Sequence, residues 1–450
     1  MVGELRTQWF LWMVVSVSLA VFLASSLMSG PGAIRRTFLS GATTAGHYQI
    51  ELRCDVCHTP GMGVRQESCI ECHAQELEEA NDTHPKSKFA DPANAALLEI
   101  IDATRCTTCH AEHTPERTTA MGVSLPRDYC FRCHHDVAEV RPSHAEMEFE
   151  SCASAGCHNF HDNRALYENF LASHSNEPPL LDSRTNLLRK SAGGEKTEGE
   201  QLRRIDADGP QSSDLEIAIV ADWERSAHAL GGVNCSNCHV SATAEWNDHV
   251  DYESCRACHE AETKGFLQGR HGMRLAQGLP PMSPELARLP MRPDAAHREL
   301  NCGACHGVHR FDTARAAVEA CLECHADSHS LNYLESPHFA LWQAERSGNA
   351  PPGTGVSCAT CHLPRVEDAD HPGQTRVIHN QNDNLRPNEK MLRSVCGNCH
   401  GLQFSLDSLA DAALVGSNFI GAPRGRVESI EMAVKWMNRR TAPAKGGETK

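Results

Sequence analysis

Twenty-two cysteines run through 450 residues, and every one of them falls in a pair. Ten pairs have the spacing C-x-x-C: Cys54/Cys57, Cys69/Cys72, Cys106/Cys109, Cys130/Cys133, Cys235/Cys238, Cys255/Cys258, Cys302/Cys305, Cys321/Cys324, Cys358/Cys361 and Cys396/Cys399. The eleventh, Cys152/Cys157, is wider, C-x-x-x-x-C. A cysteine load of this kind admits a disulfide framework, zinc sites or covalently attached haem. The next residue decides among them. It is always histidine: His58, His73, His110, His134, His158, His239, His259, His306, His325, His362 and His400. Zinc ribbons use paired cysteines but do not need a histidine directly after each pair, and a disulfide scaffold needs neither the spacing nor the histidine. Haem attachment needs both. Two thiols add across the vinyl groups of one porphyrin, and the adjacent imidazole becomes the proximal iron ligand. The motifs imply eleven covalently attached haem c groups.

Sixteen histidines remain, enough to give most irons a second imidazole. Twelve are the expected distal ligands: His47, His84, His113, His144, His161, His228, His249, His271, His297, His309, His338 and His379. Some recur in context. His113, His161 and His309 each lie three residues after a proximal histidine, on the same strip of chain but unable to bind the same iron, so each is expected to reach a neighbouring haem. His47 and His228 lie seven residues before a motif, and His249 and His297 precede theirs by six and five. His135, His329 and His371 read equally well as surface imidazoles. Methionine is an alternative ligand, but the twelve Met show no repeated position.

Aromatic residues make up only 5% of the chain, little for filling large cores. Porphyrins supply flat apolar surface in their place. The expected fold is mainly α with much irregular loop, haem-filled cores and little or no β-sheet, and the apoprotein is expected not to fold. Asp91-Pro92 suits an N-cap and first turn for a helix to Ala103. Residues 163–174, 216–230, 312–321 and 405–415 also read helical. Val427, Ile430, Val434 and Met437 form the apolar stripe of a last amphipathic helix, expected to pack on the neighbouring haem domain.

Trp9 to Met28 is an apolar run long enough to span a bilayer. Residues 1–29 therefore read as a membrane anchor, with cleavage near Ala24 and Ser26 as the alternative. Arg35 and Arg36 argue against an outward-facing body, but thiol–haem ligation is completed outside the cytoplasmic membrane. The body is thus expected on the periplasmic side of a bacterial cytoplasmic membrane. The motifs divide it into a pentahaem domain at 45–178 and a hexahaem domain at 215–412. A flexible linker at 179–214 joins them, and a basic helix and tail follow at 413–450. A formal charge of −16 leaves nothing to drive counterion release from nucleic-acid phosphates, so nucleic acid is excluded as a partner.

Within 215–412, Ser226-Ala-His228 leads to Gly232-Val-Asn-Cys235-Ser-Asn-Cys238-His239. A second copy runs from Ser336-Pro-His338 to Gly355-Val-Ser-Cys358-Ala-Thr-Cys361-His362, and His379-Asn380 precedes the last motif. This part resembles the hydroxylamine oxidoreductase and octahaem reductase superfamily of multihaem cytochromes, whose Ser-x-His histidines are distal ligands. The first cluster resembles the doubled C-x-x-C-H modules of periplasmic electron carriers. The superfamily's catalytic devices are mostly missing. Its hydroxylamine chemistry uses a tyrosine after the haem motifs, and here no tyrosine follows Tyr333. Its nitrite and tetrathionate chemistries use a lysine at the catalytic iron. Every motif here ends in His, and 215–412 holds only Lys264 and Lys390.

Two functions follow as expectations. The leading one is a membrane-anchored cytochrome passing electrons along mostly bis-His haems, with no catalytic residue. Its partners would be other redox proteins or a quinol-oxidising membrane cytochrome. The alternative is a reductase of a small nitrogen or sulfur oxyanion at one open-coordinate haem in 215–412, where Arg270 or Arg274 beside His271 could serve substrate.

Overall fold

A C-x-x-C-H segment coiled into one helical turn brings its two thiols to one side, three residues apart, and presents the histidine one residue later. The computed structural model shows this turn at the described motifs. It describes residues 2–28, 39–80, 84–119, 122–126, 128–141, 144–145, 159–161, 168–184, 186, 201–210, 214–240, 244–369, 371–385 and 388–441. Short helices carry Cys54–Cys57, Cys106–Cys109, Phe131–His134, Ser236–His239, Cys302–His306 and Cys358–His362. In motif after motif the histidine N–H donates to the carbonyl of the first cysteine, as from His110 to Cys106 at 2.9 Å and from His400 to Cys396 at 2.8 Å. Local side chains start the turns. Asn301 accepts from the Ala304 N–H, and Ser357 and Thr360 cap one another reciprocally. The wide motif, with Cys152, Cys157 and His158, lies outside the described residues.

The protein is mainly α with much irregular loop. The described strands form two small antiparallel pairs, His58–Thr59 with Gly63–Val64 and Arg365–Glu367 with Thr375–Val377. Expected helices recur in shorter pieces. Asp91 caps the N-terminus of a 3-10 turn at Pro92–Asn94, and an α-helix continues over Ala95–Ile100. The 216–230 helix breaks into Asp214–Glu224 and Ala227–Leu230, because Ser226 bonds the Ala229 N–H and starts a new helix.

Two compact units form, one of residues 1–75 and 85–129, the other of residues 76–84 and 130–450. The second contains a side-chain core of Leu171, Leu392, Leu402, Leu406, Ile430 and Ala433, flanked by Val427 and Val434. The last helix, Ser429–Thr441, packs there against Glu168–Ser173. Parts of the stretch expected as linker are pinned to the second motif cluster. Leu181 N–H donates to the Cys399 carbonyl at 2.9 Å, Asn186 N–H to Gly353 at 2.8 Å and Leu202 N–H to Ala229 at 3.0 Å. At the N-terminus, the helix Val2–Met28 contains one stretch, Arg6–Ser25, long and apolar enough to cross a membrane.

Candidate haem sites

Two imidazoles on opposite sides of one metal ion, each nitrogen about 2 Å from it, place their ring centroids roughly 6 Å apart. Among the described residues, nine motif histidines face a second histidine at that separation. In the first unit His73 faces His47 at 6.0 Å and His58 faces His113 at 6.4 Å. In the second, His134 faces His84 at 6.0 Å. All six motifs of the second cluster have such a partner. His239 faces His309 at 5.9 Å, His259 faces His228 at 6.0 Å, and His306 faces His379 at 6.3 Å. His325 faces His271 at 6.3 Å, His362 faces His329 at 6.0 Å, and His400 faces His338 at 6.2 Å.

The backbone aims these rings by different means. His228 and His338 sit in the first turn of helices Ala227–Leu230 and Pro337–Arg346, which the buried Ser226 and Ser336 cap. His113 and His309 both adopt the left-handed region, φ 61° and 64°, which turns a side chain back from its own motif. His379 follows the strand Thr375–Val377 and gives its Nδ1 to the Val377 carbonyl. Elsewhere too the Nδ1 is taken by the protein: His84 by Phe160 O at 2.7 Å, His113 by Gly41 O at 2.8 Å, His239 by Asn247 O at 2.8 Å, and His400 by Pro179 O at 3.0 Å. An imidazole held at Nδ1 keeps Nε2 for a metal, and the hydrogen bond sets its tautomer and orientation. Burial pushes His271, His306, His338 and His362 down to about 4, so they are neutral with a lone pair to donate.

The cysteines fit the same chemistry. Every described cysteine is free of disulfides, and no three His, Cys, Asp or Glu gather as a metal shell among the described residues. A bound haem c would be held at each motif by its two cysteines and motif histidine, and would supply a one-electron iron centre. Cys54, Cys72 and Cys258 are exposed, whereas Cys324 is buried and the other described cysteines are half-buried. Each exposed one lies next to an exposed charged residue, Asp55, Glu71 or Arg256, and a thioether needs only to reach a vinyl group at the porphyrin edge. Cys152 and Cys157, outside the described residues, have no burial to compare.

The distal expectations divide. His47, His84, His113, His228, His271, His309, His338 and His379 each face a motif histidine. His249 and His297 face none among the described residues. Both are exposed, and His297 bonds Glu285 through Nδ1 at 2.9 Å. His371, also exposed, bonds Asp368. His110 is held by Gly122 O at 3.2 Å. The motif ending in His158, open to His144 but not to His161, lies outside the described residues. Sequence reasoning missed His329, which faces His362. It lies four residues after His325 on the helix Ser328–Asn332, capped by Asp327. A C-H-x-x-x-H spacing was the available signal.

Aromatic side chains brace several rings. Trp246 stacks on His239 at 4.8 Å, Phe404 on His400 at 5.0 Å and Phe160 on His84 at 4.1 Å.

Comparison with known proteins agrees with the motifs. Residues 46–135 match the cytochrome c3 family. A 224-residue stretch is 22% identical to cytochrome c-552 of Haemophilus influenzae, covering 40% of this chain and 38% of that relative, so the chain spans well under half of its length. No solved structure matches. Together with the C-x-x-C-H motifs, these similarities support a multihaem c-type cytochrome with covalently bound haem c.

Proposed function

We propose that this protein is a membrane-anchored, periplasmic undecahaem cytochrome that passes electrons along a chain of bis-His haems in a respiratory pathway. The observation that carries this reading is the second cluster, where each of the six motif histidines faces a second histidine. An iron with two imidazoles exchanges electrons without a vacant position for substrate, which favours a carrier over the open-coordinate reductase. The resemblance to the hydroxylamine oxidoreductase superfamily belongs to the same reading. Both Ser-x-His histidines, His228 and His338, face motif histidines. The apolar stretch Arg6–Ser25 supports the anchor. With a formal charge of −16, to which haem propionates add, the protein would be steered to basic faces of redox partners or of a quinol-oxidising membrane cytochrome.

The test is electron paramagnetic resonance of the oxidised holoprotein. An all-low-spin spectrum, unchanged by nitrite or hydroxylamine, is expected. A high-spin signal lost on adding either one would replace the carrier by a reductase.

A further inference from the structure

The chain repeats one pairing plan. A histidine seven residues before a series of motifs faces the second motif: His47 with His73, and His228 with His259. The histidine three residues after the third motif faces the first: His113 with His58, and His309 with His239. A histidine shortly after the second motif faces the fourth: His84 with His134, and His271 with His325.

The two copies differ at the residue before the late histidine, which in the first copy lies beside the distal imidazole of the second motif. In the first copy, C-H-A-E-H, that residue is Glu112. Its carboxylate accepts from His47 Nδ1 at 2.6 Å, Thr44 N at 2.7 Å and Thr44 Oγ1 at 2.8 Å. In the second copy, C-H-G-V-H, the residue is the exposed Val308. The matching imidazole, His228, keeps its buried Nδ1 without a hydrogen-bond partner.

We propose that Glu112 sets the haem attached at Cys69 and Cys72 to a lower reduction potential than its counterpart at Cys255 and Cys258. An imidazole donating Nδ1–H to a carboxylate is the more basic ligand, and the carboxylate adds a fixed negative charge. Both favour ferric over ferrous iron, since second-shell hydrogen bonding is one lever on haem potential. The repeat gives the chain two similar bis-His centres and separates them in energy through one side chain.

This inference rests on the bis-His reading, and a spectroelectrochemical titration of the full haem-loaded protein, with spin state monitored, separates the two. E112Q removes the charge and E112V copies the second half of the chain. In each, the centre at Cys69 and Cys72 becomes easier to reduce by about tenfold, equivalent to ~59 mV for one electron. The reciprocal V308E, at an exposed position, lowers one potential by a similar factor and decides the matter if the Glu112 variants load haem poorly. Unchanged potentials at wild-type haem content, with every iron still low-spin, overturn the proposal and leave the carrier reading intact. A high-spin iron in the wild type at this site would instead defeat the bis-His reading itself.

Discussion

His297 gives its Nδ1 to Glu285 with its side chain 85% exposed, whereas His329 gives its Nδ1 to the Val415 carbonyl and turns to His362. The exposed His297 faces no motif histidine among the described residues; His329, held by a backbone carbonyl, faces one, and we propose it as a ligand. H329A should therefore convert one iron to a high-spin form, read by paramagnetic resonance, while H297A should leave the spectrum unchanged. Sequence spacing separated these two poorly, because it records how far a histidine is from a motif and not which nitrogen the fold has engaged. It found His47 and His309, whose contexts recur, and it offered no hint of Glu112, whose partner is 65 residues away. Asp383 carries a second residue-scale prediction. Burial, with Glu79 and Glu76 nearby, raises its carboxyl to about 6. The unfolded chain releases that proton near pH ~4, so between about 4 and 6 the folded state binds more protons and stability falls as pH rises. D383N still offers an acceptor to Asn380 Nδ2, which lies 2.7 Å from the Asp383 carboxylate. Relative to wild type it should gain ~1–2 kcal/mol across this window, the full linkage being reduced by partial solvent screening. Denaturation midpoints that do not diverge between pH 4 and 7 would contradict this.

Among elements, the one-turn helices were legible because the motif itself specifies them: thiols at i and i+3 need one turn of helix. Longer helices were legible in position and less so in length. Ser226 divides the expected 216–230 helix with a side-chain cap, a local bond that competes with continuation. The hairpin of Arg365–Glu367 and Thr375–Val377 was not legible, since three residues a side carry too little alternation. The last helix behaves as expected. Ile430 is 2% exposed and joins Leu402 and Leu406, and Gln403 Nε2 reaches the Val427 carbonyl at 3.0 Å. I430A should cost ~2–5 kcal/mol through the cavity it leaves. Hydrogen exchange should then quicken in both Leu402–Ala410 and Ser429–Thr441. Quickening in the last helix alone would mean that the two helices are not one cooperative unit.

At the scale of the molecule, the described side chains gather into a core of six residues in the second unit. Chain made in a host that cannot attach haem should lack cooperative unfolding and be cleared by proteases. A sharp calorimetric transition from such material would refute this. The division into compact units could not be read from the two motif clusters, because the break at residues 129 and 130 falls inside the first of them. What joins segments is the histidine pairing, a relation between distant positions to which local patterns are blind.

That pairing also orders assembly in time. His47 precedes its partner motif along the chain, so a second ligand is at hand when the site of Cys69 and Cys72 is filled. His58 and His239 face histidines that come later, at 113 and 309. His306 likewise faces a later histidine, His379. If the chain is exported N-terminus first, as the proposed location implies, each of these three sites would gain its proposed second imidazole only after a further stretch of chain had emerged: 55, 70 and 73 residues.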